Sequence, residues 1–297
     1  MRLPLPFVRD SPTHPIDGGG GTSLGVGTRG RAIGITGATG APGRTFLSIN
    51  LAVALRAAGL RVALVDADPH LGAVAVQLDL AEDRSLMYLA HEAALHPVDD
   101  TLIAGHLQSA FDIDVLAGRA APGVGEIVSG GLLRTVLEGL RQTHDVVVVD
   151  VGALDCSSAQ ECALACQVVT WVVVPTKVGT DLLDRTLAGP LAAQVRTRPS
   201  LAVVNRAGEF HLSEVGRSLQ QRYGMALVAT LPFNPRACAA AEDSGCPAAL
   251  TGPLANPLRR CGSAVVGTLV GLDSLPQLGH DEPWPKLSTE LIGDGSQ

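Results

Sequence analysis

The 297-residue sequence is poor in lysine, in aromatic side chains and in long apolar runs. Lys177 and Lys286 are its only lysines, and aromatic residues make up 3% of the chain, so a core must be built from Ala, Val and Leu. No apolar run approaches the roughly 20 residues that a membrane-spanning helix requires. The net charge of −7 also argues against a general nucleic-acid surface. The composition therefore predicts a chain with an aliphatic core and no membrane-spanning segment.

The sequence also lacks a secretory signal and a metal-binding cysteine pattern. Its first 15 residues are rich in proline, and their apolar part is too short for a secretory signal. We therefore expect a cytoplasmic location. Cys162 and Cys166 lie four residues apart on one face of a predicted helix and could hold half of a metal site. No His or Cys pair at zinc-finger spacing supports that reading. Buried free thiols are the simpler interpretation of the six cysteines.

Composition divides the chain into three parts. Residues 1–30 end in a glycine-rich stretch without periodicity, which predicts a flexible leader. Residues 31–272 carry alternating strand and helix patterns and are predicted to form one domain. Residues 273–297 are proline-punctuated and mildly acidic, and we predict a disordered or docking tail. Because acidic residues outnumber Lys286 there, we expect no basic amphipathic membrane anchor.

Apolar segments of strand length alternate with amphipathic segments of helix length. Segments such as "DVVVVDVG" are too apolar to face water on either side. Such alternation predicts an α/β fold with a mostly parallel central sheet and helices on both faces. The predicted strands are 31–36, 61–68, 111–118, 145–152, 167–176, 200–208 and 225–233. The predicted helices are 44–59, 131–143, 181–195, 211–223, 236–242 and 254–270.

The segment "GITGATGAPGRTF" lies between the first predicted strand and the first predicted helix. Gly40 and Gly43 allow backbone N–H groups to approach an anion, Arg44 stands at the usual lysine position, and Thr45 offers a hydroxyl for Mg²⁺. The strict spacing of a phosphate loop is missed, because Ala38 and Arg44 replace its first glycine and its lysine. By itself this segment is either a nucleotide loop or an ordinary β–α turn.

Three carboxylates follow predicted strands. Asp66 and Asp68 end the second strand, and Asp150 ends the buried strand "DVVVVD". Each has a plain structural explanation, since Asp68 could cap the next element and Asp150 could terminate its strand. In parallel sheets, however, ligands bind beyond the carboxyl ends of the strands. Together with the glycine loop, the three acids predict a Mg²⁺–phosphate centre.

These segments, in this order, resemble the MinD/ParA family of dimeric P-loop ATPases. "TGAPGRT" is similar to the family's K-G-G-x-G-K-[ST] loop, "FLSINLA" to its helix start, "VALVDADPHLG" to its D-x-D segment and "DVVVVDVGALD" to its Walker B region. "LAVVNRAG" and "ATLPFNPRACAAAEDSGCP" resemble the segments that line the adenine. Within the family, the sequence most resembles the divergent branch that includes CpaE/TadZ pilus-localisation proteins and actinobacterial septum-site-determining-like proteins. The resemblance covers about residues 31–272 and implies a three-layer P-loop NTPase fold.

The resemblance also implies roles for individual residues. Asp68 would orient the attacking water, and Arg44 would assist catalysis at the phosphates. Thr45, Asp66 and Asp150 would hold Mg²⁺, and Asn205 would read the base. The complete set implied to bind ATP is Gly40, Ala41, Pro42, Gly43, Arg44, Thr45, Phe46, Asn205, Arg206 and Pro232.

The loop departs from the family pattern at four positions. Thr39 replaces the signature lysine that reaches across the dimer, and Arg44 is bulkier than the lysine it replaces. Ala41 has less backbone freedom than glycine, and Pro42 removes one N–H. A fixed cation is commonly worth about 10³–10⁵ in phosphoryl-transfer rate. We therefore expect nucleotide binding to survive better than hydrolysis.

The leading hypothesis is an ATP-dependent dimerising switch that positions a pilus, secretion, septum or DNA-partitioning machine through a protein partner. The alternative is a non-catalytic pseudo-ATPase scaffold. A dethiobiotin-synthetase-like ligase has less support, because its family normally keeps the loop lysine. DNA binding is not favoured, since scattered arginines usually form solvated helix faces. The arginines in question are Arg185, Arg196, Arg198, Arg217, Arg222, Arg259 and Arg260.

Overall fold

The computed structural model describes residues 29–38, 42–68, 72–118, 128–207 and 212–273, which form eight strands and eleven helices. The strands are β1 (Arg31–Gly37), β2 (Val62–Asp66), β3 (Gln108–Ala110), β4 (Ile113–Leu116), β5 (Val146–Ala153), β6 (Val168–Val173), β7 (Ser200–Ala207) and β8 (Ala226–Pro232). The helices are α1 (Arg44–Ala57), α2 (Val74–Gln77), α3 (Leu86–Ala93), α4 (Asp100–His106), α5 (Gly130–Thr143), α6 (Ser157–Ala165), α7 (Lys177–Ala188), α8 (Pro190–Val195), α9 (Leu212–Tyr223), α10 (Pro235–Ser244) and α11 (Ala255–Asp273).

All eight strands belong to one sheet, in the order β3-β4-β2-β5-β1-β6-β7-β8. Every neighbouring pair is parallel except β3 and β4, which form an antiparallel hairpin at one edge. The chain runs from β1 towards β2 on one side and later from β5 to β6 on the other. The loop after β1 therefore lies where the strand order reverses, which is where open α/β sheets bind ligands. The predicted fold class is confirmed.

Alternating side chains of the strands build two separate cores. In β5, Val147, Val149 and Val151 face one core, while Val146 and Val148 face the other. The first core also contains buried residues of α5, α6, α7 and α8, and the second contains those of α1 and α11. Because central strands such as β5 are covered on both faces, continuous valine runs are more favourable there than alternating ones.

Helix α5 shows how a capping residue and the spacing of leucines form a helix that covers the sheet. Ser129 caps the helix by accepting a hydrogen bond from the N–H of Leu132 at 3.2 Å. Leu133, Leu137 and Leu140 recur at helical spacing and are buried against the sheet. The helix ends before His144, so that β5 begins directly afterwards.

The predicted helix 181–195 is wrong in its extent. The structure has α7 from Lys177 and a separate α8 that begins at Pro190. Proline lacks an N–H and clashes with the preceding turn, so it begins a new helix rather than continuing the old one. The short elements α2, α3, α4 and β3 were not predicted, because three to eight residues carry too little periodicity.

The cysteines of the described chain are free thiols, of which Cys162, Cys166 and Cys261 are buried. Burial raises the pKa of Cys166 and of Cys261 to about 12, so both are protonated near neutral pH. Cys166 caps the end of α6 and donates to the carbonyl of Cys162 at 3.4 Å. Of the helices described, even the 19-residue α11 does not combine the length and hydropathy that a membrane crossing requires.

Candidate functional site

Helix α1 begins at the carboxyl edge of the sheet without a side-chain cap. Its N-cap residue is Gly43, with φ 97°, which has no side chain that could accept from the first turn. Five other helices do have such a cap, provided by Ser85, Asp99, Ser129, Thr176 and Asn234. The first turn of α1 also contains no acidic residue. The N–H groups at its start and the helix dipole therefore suit an anion.

Only part of the predicted phosphate loop lies within the described residues. Gly40 and Ala41, together with Thr39, lie outside them, so the predicted anion cup stays a prediction at those positions. Pro42 is buried, and Gly43 is half-buried. A Cβ on Gly37 would lie 3.2 Å from Cγ of Pro42, so the returning loop packs directly over the end of β1.

The first turn of α1 brings Arg44, Thr45 and Phe46 to this edge. Arg44 donates from Nη1 to the carbonyl of Ala38 at 2.9 Å, so its guanidinium turns back to the beginning of the loop. The carbonyl of Phe46 accepts a hydrogen bond from Asn50 Nδ2 at 2.8 Å. Thr45 is half-buried beside Asp150.

Two buried carboxylates lie side by side next to the loop. Asp66 ends β2 and pairs in register with Asp150 of β5. Asp66 is fully buried and Asp150 is 1% exposed. The N–H of Val74 donates to Asp66 at 3.2 Å, and that of Asp68 at 3.3 Å. Neither oxygen of Asp150 has a hydrogen-bond partner among the described residues.

Burial shifts the titration of both acids. It raises the pKa of Asp66 to about 8, with a further contribution from the negative charge of Asp150. It raises the pKa of Asp150 to about 6, although the nearby Thr45 hydroxyl and then the Arg44 charge act in the opposite direction. Thr45 is thus close enough to favour the ionised form of Asp150, but it does not reach hydrogen-bonding geometry. Two adjacent buried carboxylates need a proton or a cation between them.

The donor set fits Mg²⁺ held jointly with phosphate. Asp150, with two unpartnered oxygens, and the neighbouring Thr45 hydroxyl are oxygen ligands of the kind that Mg²⁺ prefers. In the described part of the chain, no three His, Cys, Asp or Glu side chains form a metal cluster. A metal here would therefore take most of its ligands from phosphate and water, as Mg²⁺ in nucleotide sites usually does.

Glycines that the sequence did not single out make room for the acids. A Cβ on Gly152, whose φ is 77°, would lie 2.7 Å from Cγ of Asp68. A Cβ on Gly72 would lie 2.8 Å from Oδ2 of Asp66, and one on Gly118 would lie 2.8 Å from its Cγ. The carbonyl of Gly152 also accepts from the buried Thr36 hydroxyl at 2.8 Å.

The predicted base-reading segment contacts the loop. Asn205 of β7 donates from Nδ2 to the carbonyl of Pro42 at 2.7 Å and accepts from the N–H of Arg206 at 2.9 Å. Arg206 has a left-handed backbone, with φ 56°. Pro232 ends β8 beside Ala207. The structure thus brings Asn205 to the loop, while its role in reading a base stays a prediction, as do those of Arg206 and Pro232.

The parallel sheet, the switch-point loop, the uncapped helix and the paired acids define a P-loop NTPase. The chain belongs to the family described as the CobQ/CobB/MinD/ParA nucleotide binding domain, whose model matches residues 33–245. It is therefore of the MinD/ParA type suggested by its motifs. No curated protein sequence matches the chain.

Solved structures share the fold at low sequence identity. The cell division ATPase MinD of Pyrococcus furiosus has 21% identity and a TM-score of 0.67, covering 80% of this chain and 99% of that one. The septum site-determining protein MinD of Pyrococcus horikoshii, complexed with Mg-ADP, has 19% identity and a TM-score of 0.67, covering 84% and 99%. A ParA family ATPase of Chlorobium tepidum has 16% identity and a TM-score of 0.67, covering 78% and 98%. The narrower resemblance to the CpaE/TadZ branch stays a prediction.

Proposed function

We propose that this protein is an ATP-dependent dimerising switch that positions or regulates a cellular machine and hydrolyses ATP weakly. The observation that carries the proposal is the placement of the uncapped N-terminus of α1 beside the buried pair Asp66 and Asp150. One side of this arrangement suits phosphate, and the other suits a divalent cation. The Mg-ADP complex of the Pyrococcus horikoshii protein, which has the same fold, is consistent with such a ligand.

The assignment to ATP and Mg²⁺ gives each residue a physical task. N–H groups at the start of α1 bind phosphate oxygens, and Thr45 and Asp150 hold Mg²⁺ directly or through water. Asp68, which lies against Gly152, would orient a water molecule. Bound Mg²⁺ would neutralise phosphate charge. Weak hydrolysis follows because Arg44 replaces lysine and Thr39 carries no charge.

A second copy and a protein partner complete the proposal. The solved complex of MinC with MinD from Aquifex aeolicus, which shares this fold, is an assembly with a protein partner. We propose a homodimer across the carboxyl edge of the sheet and a partner from a localisation, secretion or division system in the cytoplasm. The family description includes CobQ and CobB as well as MinD and ParA, so membership alone does not select the machine.

Titration of Mg-ATP tests the proposal. We expect the wild-type protein to bind Mg-ATP in isothermal titration calorimetry, and to bind it more weakly when EDTA removes Mg²⁺. Asp150→Asn should weaken Mg-ATP binding by about tenfold, or about 1.4 kcal/mol, because a ligand of the metal is lost. Asp100→Asn, which removes an exposed carboxylate on α4, is the matched control and should bind normally.

The competing function is a pseudo-ATPase scaffold, and one contact favours it. Arg44 donates to the carbonyl of Ala38, so the only described cation in the first turn of α1 is already engaged within the loop. A scaffold would bind neither Mg-ATP nor Mg-ADP and would keep the same oligomeric state with or without them. Absence of binding by the folded wild-type protein would therefore reject the switch in favour of the scaffold.

A further inference from the structure

We propose that Lys177 supplies positive charge to the phosphates of a nucleotide bound at the loop after β1 of the same chain. The inference rests on the function proposed above and adds a residue that the motif comparison did not assign. The sequence of the loop contains no lysine, and Lys177 is the only lysine of the described residues. Its place in the fold makes it a second source of charge.

The end of β6 is in direct contact with the loop. Val172 of β6 pairs with Gly37, and a Cβ on Gly37 would lie 3.0 Å from the Val172 carbonyl and 3.2 Å from Cγ of Pro42. On the other side of β6, Val173 pairs with Val204, the residue before Asn205. Because Asn205 itself hydrogen-bonds to the Pro42 carbonyl, both neighbours of the end of β6 touch the loop.

A tight turn holds Lys177 at this edge. The N–H of Thr176 donates to the carbonyl of Val174 at 2.9 Å, so the chain turns immediately after β6. The Thr176 side chain then caps α7 by accepting from the N–H of Gly179 at 3.0 Å. Lys177 is the first residue of α7, only four residues beyond the end of β6. It therefore lies at the carboxyl edge of the sheet, beside the strand that touches the loop.

The charges around the loop are arranged on two flanks. Asp66 and Asp150 belong to β2 and β5, on one side of β1, whereas Lys177 follows β6 on the other side. The side chain of Lys177 is exposed, and its ammonium group makes no hydrogen bond or ion pair with any described residue. Phosphates bound after β1 would lie between a metal on the acidic flank and an ammonium group on the basic flank.

Helix stability does not account for a lysine at this position. Backbone N–H groups make the start of a helix partly positive, so a cation in the first turn is unfavourable. Arg185, near the end of the same helix, has the opposite situation. It is favourably placed for the helix dipole and forms an ion pair with Asp181 at 2.9 Å. Arg185 is therefore a matched control, about 12 Å along the helix axis from Lys177.

The test compares nucleotide affinities of charge variants of α7. Mg-ATP and Mg-ADP are titrated calorimetrically into dilute wild-type protein and into Lys177→Ala, Lys177→Arg and Arg185→Ala. We expect Lys177→Ala to bind Mg-ATP about tenfold more weakly, the range of one hydrogen bond to a charged group. Lys177→Arg and Arg185→Ala should stay within about twofold of wild type. Unchanged melting temperatures would show that all variants fold.

The outcomes separate this inference from the proposed function. Wild-type affinity in Lys177→Ala would overturn the role of Lys177 and leave the nucleotide site intact. Equal weakening in Lys177→Ala and Arg185→Ala would overturn it too, because a general charge effect would suffice. If the wild-type protein bound no nucleotide, both the inference and the proposed function would be rejected.

Discussion

At the scale of single residues, one contact joins two segments that are 163 residues apart. The Asn205 amide donates to the carbonyl of Pro42 and lies where a Cβ on Gly43 would be, with Nδ2 2.5 Å from that position. Gly43 is thus required for two reasons, its left-handed φ of 97° and the closeness of Asn205. This pairing sets the shape of the loop where α1 begins.

Gly43→Ala should lower the free energy of unfolding by more than Gly59→Ala does. Both glycines flank α1 with similar positive φ, 97° and 92°, but a Cβ on Gly59 would meet no atom within 4 Å. Left-handed strain costs about 1–2 kcal/mol at either position. Gly43→Ala must in addition displace Asn205 and its hydrogen bond, at about 0.5–1.5 kcal/mol more. Urea denaturation of the two variants measures the difference.

The comparison also has a binding readout. Gly59 lies at the other end of α1, so Gly59→Ala should leave Mg-ATP affinity unchanged, whereas Gly43→Ala should reduce it. Equal stability losses in the two variants would show that the Asn205 contact contributes nothing measurable.

At the scale of elements, β2 ends at Asp66, which pairs in register with Asp150, three residues before the end of β5. The two carboxylates destabilise each other when both are ionised. The next pair in this register after Val65 and Val149 is Asp66 and Asp150. Both acids therefore lie inside the core rather than in water. The sheet thus places two buried carboxylates beside the loop, and a bound cation would stabilise their ionised forms.

Without metal, stability should fall as pH rises. The pKa of Asp66 is about 8 and that of Asp150 about 6 in the folded chain, against about 3.9 for an exposed Asp. The folded state therefore binds more protons, and the associated stability is complete below about pH 4 and is lost by about pH 8. One pKa unit corresponds to about 1.4 kcal/mol, so the loss should exceed about 1 kcal/mol. Thermal denaturation in EDTA between about pH 5 and pH 8.5 measures it.

The variant Asp66→Asn tests whether the titration of Asp66 causes this pH dependence. Asparagine keeps the shape of the protonated acid but cannot ionise. The loss of stability with rising pH should therefore be smaller in Asp66→Asn, and this variant should be more stable than wild type at about pH 8.5. Asp100→Asn, on the exposed surface, should follow the wild-type curve. Parallel curves for Asp66→Asn and wild type would show that Asp66 is not the titrating group.

At the scale of the whole molecule, the described residues include five large exposed apolar side chains, and three of them follow strands whose carboxyl ends lie at the edge that carries the site; the other two are Leu95 and Phe111. Val76 follows β2, Val178 follows β6, and Phe233 follows β8, with exposed fractions of 64%, 69% and 62%. Val178 and Phe233 therefore lie close to the carboxyl ends of β6 and β8, whereas Val76 belongs to α2. The proposed second copy, docked across this edge, would cover these side chains.

Phe233→Ser should weaken the proposed dimer in the presence of Mg-ATP. Phe111→Ser is the matched control, because Phe111 is 40% exposed in the β3–β4 turn, at the opposite edge of the sheet. Loss of one aromatic anchor should raise the dimer dissociation constant about tenfold or more. In analytical ultracentrifugation with Mg-ATP, Phe233→Ser should sediment as a monomer, whereas the wild-type protein and Phe111→Ser should sediment as dimers. A dimer unaffected by Phe233→Ser, or disrupted by Phe111→Ser, would contradict this face.

Long periodic elements and strand-end motifs were predictable from the sequence. The run from Val146 to Asp150 identified a buried parallel strand, because burial on two faces selects continuous valine. The prediction that Asp150 ends this strand was wrong, since β5 continues to Ala153. The break at Pro190 was missed, although the proline itself was the available signal. The close approaches of Gly72, Gly118 and Gly152 to the acids were not predictable, because each depends on the spacing between separate strands and loops.

By itself, the sequence determined the class of fold, the family and the edge of the sheet at which the site would lie. Those properties follow from local periodicity and from the rule that parallel strands end together. Tertiary structure alone decided that Asp66 and Asp150 are buried side by side, that Asn205 hydrogen-bonds to Pro42, and that Lys177 follows a strand on the opposite side of β1 from the acids. The physical reason is that charge, burial and hydrogen bonding act between atoms close in space, and strand order brings those atoms together.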